Sequence, residues 1–420
     1  MRAEIISIGD ELTRGLALDT NSAWLSQRLA ALGIAVRRHQ TIADDQADIR
    51  QSISDAAASA EIVLITGGLG PTADDLTRPA LAEALGEPLE TDQQALADLE
   101  AFFARLDRPM TESNRVQAER PRGAVTIRNS RGTAPGIRAR LGTATIYVMP
   151  GVPGEMMTMF EQSIVPELTA LAGDRVIAAR TLHCFGVAEA TVGEKIAHLM
   201  RRGRNPSVGT TAKDAVISVR IVAEGNRGIS EIGSSDPTAQ QMLDRDADEI
   251  RSLLGTAVFG EEIDTLESVV AAELIRRGLT IATAESCTGG LLAKRLTDTA
   301  GSSAYFLRGF VTYSNQAKTD LLGVPESMLA AHGAVSEPVA ASMASGCRQA
   351  CNADYALSIT GIAGPTGGTP DKPVGLVCIG LADRTDVRAT RHLFGEHLTR
   401  AEIRDRTCKT ALNLLRLRLL

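Results

Sequence analysis

Short, unbroken aliphatic blocks alternate along this chain with stretches whose apolar residues recur every three or four positions. The block Ala3 to Ile8 is followed by Leu25, Leu29 and Leu32, spaced four and three apart behind helix-start residues at Asp19 to Ser22, and Gly33 closes that run. Ile34 to Val36, a helix opened by Asp44 or Asp45 and ending near Ala60, and the block Ile62 to Ile65 repeat the alternation. A strand that is aliphatic at every position has both faces covered, as in a parallel sheet between helices. Helices near Leu76 to Leu85 and Thr91 to Leu106, strands near Ala124 to Ile127 and Ala144 to Met149, and a helix after Pro153 continue it. Residues 1–173 are therefore predicted to form a layered α/β domain.

The pattern changes from Asp174. Two alternating segments, Arg180 to Phe185 and Val216 to Val222, flank a predicted helix from Ala188 to Met200, which suggests a small α+β domain over 174–259. Arg201, Arg202 and Arg204 around Gly203 read as a solvated loop beside the acidic stretch from Asp236 to Glu262, and a helix from Thr238 to Leu254 leads onward. In 260–420 the layered pattern returns. Asp264, with Glu267 three residues on, resembles a capping box, and Gly278 ends that helix. Strands are predicted at Leu279 to Thr283, Phe306 to Tyr313, Tyr355 to Ile359, Val374 to Leu381 and Val387 to Leu393. Helices open at Ser336-Glu337-Pro338 and at Thr399, with Glu402 as its capping partner.

Composition narrows the function. The 420 residues suffice for two or three cores, and 44% hydrophobic with 23% charged residues is ordinary for a globular protein. No apolar run is long enough to cross a bilayer, and the start lacks a basic, cleavable leader, so a cytoplasmic protein is expected. A net charge of −7 argues against a protein that grips nucleic acid. Six cysteines without a C-x-x-C pair suggest neither a disulfide framework nor a zinc ribbon; Cys347 and Cys351, four apart, read as two buried thiols.

Two turns carry candidate chemistry. Where the third strand stops, Gly67, Gly68 and Gly70 let a ligand approach the backbone, and Asp74 and Asp75 follow at once. Paired carboxylates repel a phosphate unless a divalent cation bridges them. Asp10, Asp44 and Asp45 lie in turns that reach the same edge; the alternative is that Asp74 and Asp75 only cap the next helix. The second turn, Ala284-Glu285-Ser286-Cys287-Thr288-Gly289-Gly290, sits between a strand and a helix and offers two nucleophile types, with serine capping as the bland alternative. No histidine stands at motif spacing, which leaves Lys318 as the base if a dry site lowers its pKa; Tyr313 could orient or relay the proton. Thr360 to Gly368 forms a further glycine-rich turn.

These motifs resemble a known family. IGDELTRGLALDTNSAWL, TGGLGPTADDLT, NSRGTAPG (129–136) and MPGVPGEM (149–156) are similar to the N-terminal domain of the competence/damage-inducible CinA family. AESCTGGLLAKRLT (284–297), the stretch 300–324 with YSNQAK, HGAVSEPVA (332–340) and SITGIAGPTGGTPDKPVGLV (358–377) resemble its C-terminal domain. The resemblance covers nearly the whole chain. It implies two layered α/β domains, a molybdopterin-binding-like one and a nicotinamide mononucleotide deamidase domain, joined by a small α+β domain.

The implied chemistry is hydrolytic at both ends. At the C-terminal end it is deamidation of nicotinamide mononucleotide to nicotinate mononucleotide and ammonia, without a cofactor. Ser286 and Lys318 would act together there, with Tyr313, Thr360 and Arg400 assisting. Backbone N–H groups near Gly289 and Gly290 would hold the oxyanion, and these glycines with Gly361, Gly364 and Arg404 would bind substrate. At the N-terminal end it is hydrolysis of the ADP-ribose pyrophosphate, with a divalent metal (Mg2+, Mn2+ or Co2+) on Asp75 and Asp44, which match the family's acids, and potassium assisting; the reading of the turns adds Asp74 and Asp10 as metal candidates. A homodimer is expected. The family's Gly-Asp-Arg pattern is displaced here to Gly395-Glu396-His397-Leu398-Thr399-Arg400, with Arg404 four residues further on. The competing class is a nucleotide-binding regulatory protein of competence or DNA repair, without turnover at one or both sites.

Overall fold

The computed structural model describes residues 1–173, 175–226 and 237–420, so the predicted domain start at Asp174 and the acidic start at Asp236 lie outside the described residues. The chain divides into two compact units, residues 1–178 with 222–243 and residues 179–221 with 244–420.

The first unit is built on Arg2–Ile8 (β1), Ala35–Ile42 (β2) and Ile62–Thr66 (β3), a two-stranded ribbon of Leu89–Thr91 (β4) and Glu119–Pro121 (β5), and then Val125–Ile127 (β6), Gly136–Leu141 (β7) and Ala144–Met149 (β8). Its main sheet has the order β2-β1-β3-β8-β7-β6. The first four strands are parallel and the last two antiparallel. β3 is buried at all five positions because helices cover both faces. Asp19 caps Thr20–Ala31 and Asp45 caps Gln46–Ser59, each side chain accepting from backbone N–H groups the helix cannot pair itself. The parallel strands end together, so the segments after Ile8, Ile42, Thr66 and Met149 form one edge.

A four-stranded sheet follows, of Arg175–Cys184 (β9), Ser207–Lys213 (β10), Val216–Asn226 (β11) and Val258–Glu261 (β12), in the order β10-β11-β9-β12. The third sheet comprises Ile281–Glu285 (β13), Phe306–Val311 (β14), Tyr355–Gly361 (β15), Leu376–Ala382 (β16) and Val387–Leu393 (β17), ordered β14-β13-β15-β16-β17. β14, β13 and β15 run parallel; β16 and β17 return antiparallel. Within the second unit, Phe185 and Phe259 join the core formed by Leu266, Val270, Ile281, Leu292 and Leu412. Buried Arg416 donates to the Thr256 carbonyl, which seals the same region. Among the described residues no helix is long and apolar enough to cross a membrane.

Four local expectations shift. The helix after Glu262 is capped one residue later, by Thr265 with Ser268 as its reciprocal partner, because Asp264 instead accepts the Glu261 N–H. β13 runs two residues further than predicted, to Glu285, so a carboxylate ends that strand. The helix after Ala188 is short, Glu189–Lys195. Arg204 is no free loop cation: its guanidinium pairs with Asp246, whose carboxylate is fully buried.

Candidate functional site

Ser286, Thr312 and Thr360 stand at or just past the carboxyl ends of three adjacent parallel strands, β13, β14 and β15, the edge at which open α/β sheets bind ligands. The ladder continues one bond beyond β13 on each side: Ser286 N–H donates to the Ile359 carbonyl, and Thr312 N–H to that of Glu285, at 2.9 and 2.8 Å. The Ser286 backbone is thereby fixed before its side chain does anything.

Lys318 comes from the helix Asn315–Leu322, which Ser314 caps through the Ala317 N–H. Its ammonium nitrogen lies 3.2 Å from Ser286 Oγ and 2.9 Å from the Thr312 carbonyl, and the residue is 1% exposed. Burial disfavours the charged form and holds its pKa below the usual lysine value. The helix that carries it rests directly on Glu337–Cys351: a Cβ on Gly346 would lie 1.9 Å from the Leu322 carbonyl oxygen. Cys287, the rival nucleophile, is 7% exposed, and burial pushes its thiol up to about 12.

Glu285 reorganises the expected oxyanion donors. Its fully buried carboxylate accepts from the N–H groups of Gly290, Leu292 and Ala293 at 3.1, 3.0 and 2.8 Å, filling the start of the helix Leu291–Thr297. Gly289 N–H donates to the Ser286 carbonyl. Neither glycine therefore has a donor to spare, which corrects the expectation that they hold an oxyanion. The N–H groups of Cys287 and Thr288 have no acceptor among the described residues, and the buried Thr288 hydroxyl has none either. Gly289 and Gly290 do adopt left-handed backbone, φ 57° and 90°, which the reversal at this turn requires.

The remaining expected residues divide between site and scaffold. Arg400, exposed at the first turn of Arg400–Leu419, donates to the Gly364 carbonyl at 2.8 Å and to the Tyr313 hydroxyl at 3.2 Å. Tyr313 is 63% exposed and is hydrogen-bonded to that arginine rather than to Lys318, contrary to the proton relay. Arg404 ties the same helix to the nucleophile turn through the Thr288 carbonyl. Thr360 is buried and donates to the Ala334 carbonyl, so its hydroxyl proton is committed to holding that loop. Gly361 packs so tightly on Val377, and Gly364 on Val374, that a side chain at either would collide. Cys347 is fully buried and Cys351 partly so, both as free thiols.

In the first unit the glycine turn lines a cleft of about 420 Å3 with Gly9, Glu11, Asp44, Asp74, Asp75 and Glu155. A Cβ on Gly67 would lie 2.2 Å from the Ile8 carbonyl oxygen, and one on Gly68 would lie 2.1 Å from the Thr77 hydroxyl. Thr77 and buried Arg78 hold the turn from beneath through the carbonyls of Gly67, Leu69 and Gly70. Asp75 is not a free ligand: its carboxylate accepts from Gly70 N–H, Thr72 N–H and the Thr72 hydroxyl at 2.7, 2.8 and 2.6 Å. Asp44 accepts the Asp10 N–H at 2.9 Å, and Asp10 pairs with Arg14. Burial, then the nearby carboxylates of Asp10, Glu11 and Asp74, raise the Asp44 pKa. Among the described residues no three His, Cys, Asp or Glu side chains converge in a ready-made metal site. Sequence reasoning gave Glu285, Glu11 and Thr77 no role; an acid at the end of a strand, directly before a serine and a glycine pair, is the signal that was available for the first.

The family model described as a probable molybdopterin binding domain matches residues 4–170, which makes the first unit's α/β sheet a molybdopterin-binding-like module. Models for the CinA KH domain of damage-inducible proteins and for the CinA C-terminal domain match 179–260 and 263–419. A CinA-like protein of Geobacter sulfurreducens is 42% identical over 421 residues, covering 100% of both chains. Another, of Citrifermentans bemidjiense, is 43% identical over 418 residues, 99% of this chain and 97% of that one. The chain belongs to the CinA family. Among solved structures, a competence/damage inducible protein from Agrobacterium tumefaciens is 44% identical over 38% of this chain and 98% of its own, with a TM-score of 0.35.

Proposed function

We propose that the second unit is an amidase that converts nicotinamide mononucleotide to nicotinate mononucleotide and ammonia. The observation that carries this reading is the 3.2 Å approach of a buried lysine amine, held toward its neutral form, to the hydroxyl of Ser286. Ser286 Oγ attacks the carboxamide carbon as its proton passes to Lys318 Nζ. The negative charge that develops on the carbonyl oxygen is met by the unpaired N–H groups of Cys287 and Thr288. The C–N bond then breaks, Lys318 returns the proton to the departing ammonia, and a water activated by the same amine hydrolyses the ester. Arg400, already fixed by Gly364 and Tyr313, binds the substrate phosphate. Ammonia release from nicotinamide mononucleotide by the purified chain, compared with Ser286→Ala, tests it: no release from the intact protein, or equal release from the variant, overturns it.

The first unit is proposed to hydrolyse the pyrophosphate of ADP-ribose with a divalent cation. The charges of Asp10, Glu11 and Asp74 around Asp44 support a cation there, which Asp44 would hold and substrate phosphates would help to retain, since among the described residues the carboxylates alone do not converge on one point. When bound, such a cation neutralises phosphate charge beside these acids. Asp75 instead shapes the turn that receives the phosphates. Phosphoester product measured with and without chelator tests this site separately.

A further inference from the structure

A cavity of about 540 Å3 in the first unit lies between the helix Gln93–Arg105 and the stretch 120–135. Its lining differs from that of the glycine-turn cleft. The cleft is walled by Glu11, Asp44, Asp74, Asp75 and Glu155, with no lysine or arginine. The cavity instead offers an apolar wall of Leu99 and Phe102 and three arginines. Arg120 is committed to Asp92 and Glu90, and Arg128 to Asp98. Arg105 has no carboxylate partner among the described residues; its guanidinium sits over the Phe102 ring, 5.6 Å from the centroid. A ring backed by an uncommitted guanidinium suits a flat, electron-rich heterocycle.

The two spaces adjoin. Thr133 lines both, and its hydroxyl is fixed by the Gln117 amide, which also faces the cleft. Asn129, on the cavity side, donates to Glu155, on the cleft side, at 2.6 Å. Thr133 and these hydrogen bonds form the boundary the two spaces share, which sets the cavity beside the glycine-turn cleft.

We infer that this cavity is the base-binding subsite of the first unit and takes the nucleobase of a nucleoside diphosphate derivative by stacking on Phe102. The inference rests on the reading of the neighbouring cleft as a pyrophosphate site. It assigns Phe102 to affinity and leaves the chemistry to the glycine turn.

The test uses the full chain, Phe102→Ala, and Phe102→Trp as the variant that keeps a stacking face. Two readouts are taken: the Kd of AMP by direct titration, and KM and kcat for ADP-ribose with a divalent cation. Losing one base-stacking ring is expected to weaken AMP binding and raise KM roughly tenfold, with kcat nearly unchanged. Phe102→Trp restores both. Unchanged AMP affinity and KM in a folded Phe102→Ala protein overturn the subsite, even if ADP-ribose is hydrolysed normally. Phe102-dependent AMP binding without ADP-ribose hydrolysis under any divalent cation leaves the subsite standing and removes the pyrophosphatase reading instead.

Discussion

Ser286 and Cys287 are adjacent, both can form acyl intermediates, and one pair of substitutions separates them. Burial pushes the Cys287 thiol up to about 12, so at pH 7 forming the thiolate costs about five pKa units, roughly 7 kcal/mol at ~1.4 per unit. Ser286 needs no free alkoxide, because Lys318 Nζ lies 3.2 Å from its oxygen and takes the proton during attack. Ser286→Ala should therefore lower kcat for ammonia release by roughly 10^4-fold or more. Cys287→Ala should change it by no more than about threefold and cost about 1 kcal/mol of stability through lost packing. The assay is enzymatic detection of ammonia from nicotinamide mononucleotide, with unfolding midpoints as the folding control. The pH profile adds a second discriminator. Activity should rise with pH as Lys318 loses its proton, and because burial lowers that pKa the rise should be centred below 10.5. Loss of turnover in a folded Cys287→Ala, or survival of turnover in Ser286→Ala, refutes the assignment.

Lys318→Arg should be as damaging as Lys318→Ala, because guanidinium stays protonated at any working pH; retained ammonia release would reduce Lys318 to a charge contact. Lys318→Met should also gain stability relative to the natural protein as pH falls. With the folded pKa below the unfolded value, the penalty of burying the ammonium is full below the folded pKa and fades as pH rises toward 10.5, which urea titrations at several pH values would read. Glu285→Ala strands three helix N–H groups and should cost roughly 3 kcal/mol or more, with Glu285→Gln costing about half; an unchanged urea midpoint in both would show the cap to be dispensable. In the first unit, Asp44→Asn should abolish cation-dependent ADP-ribose hydrolysis while the fold persists. Asp75→Asn should lower activity and thermal stability together, since it loosens the turn; a normally stable, inactive Asp75→Asn would return Asp75 to the role of direct ligand.

The layered α/β plan was legible because strands such as β3 are aliphatic runs between helix-period stretches, and caps such as Asp19, Asp45 and Thr399 announce themselves by residue type. β7, GIRARL, was missed because arginines interrupt a half-buried strand next to an edge, and β12 was missed because four residues carry too little pattern. The Ser286–Lys318 pair was readable as motif, yet its approach depends on where β13 and β14 end. A shift of two residues in β13 turned Glu285 from a loop acid into the cap of the next helix. The number of acceptors around Asp75 was likewise invisible in sequence: TADDLT offers two carboxylates, and only the folded turn commits one of them to Gly70 and Thr72. Phe185 and Phe259 could not be assigned to the last domain's core because they precede it in the chain.

Backbone-to-backbone contact at Gly346 has a consequence for how the Ser286–Lys318 site can be altered. At Gly346 the helix bearing Lys318 meets its neighbour main chain to main chain, at the Leu322 carbonyl, so the spacing of the two helices at that point is set by backbone. Position 346 therefore has no freedom, since even one methyl there would force the Lys318 helix to shift. Adaptation of the site must come from the exposed face, at Tyr313 and Arg400, where side chains alone set the geometry.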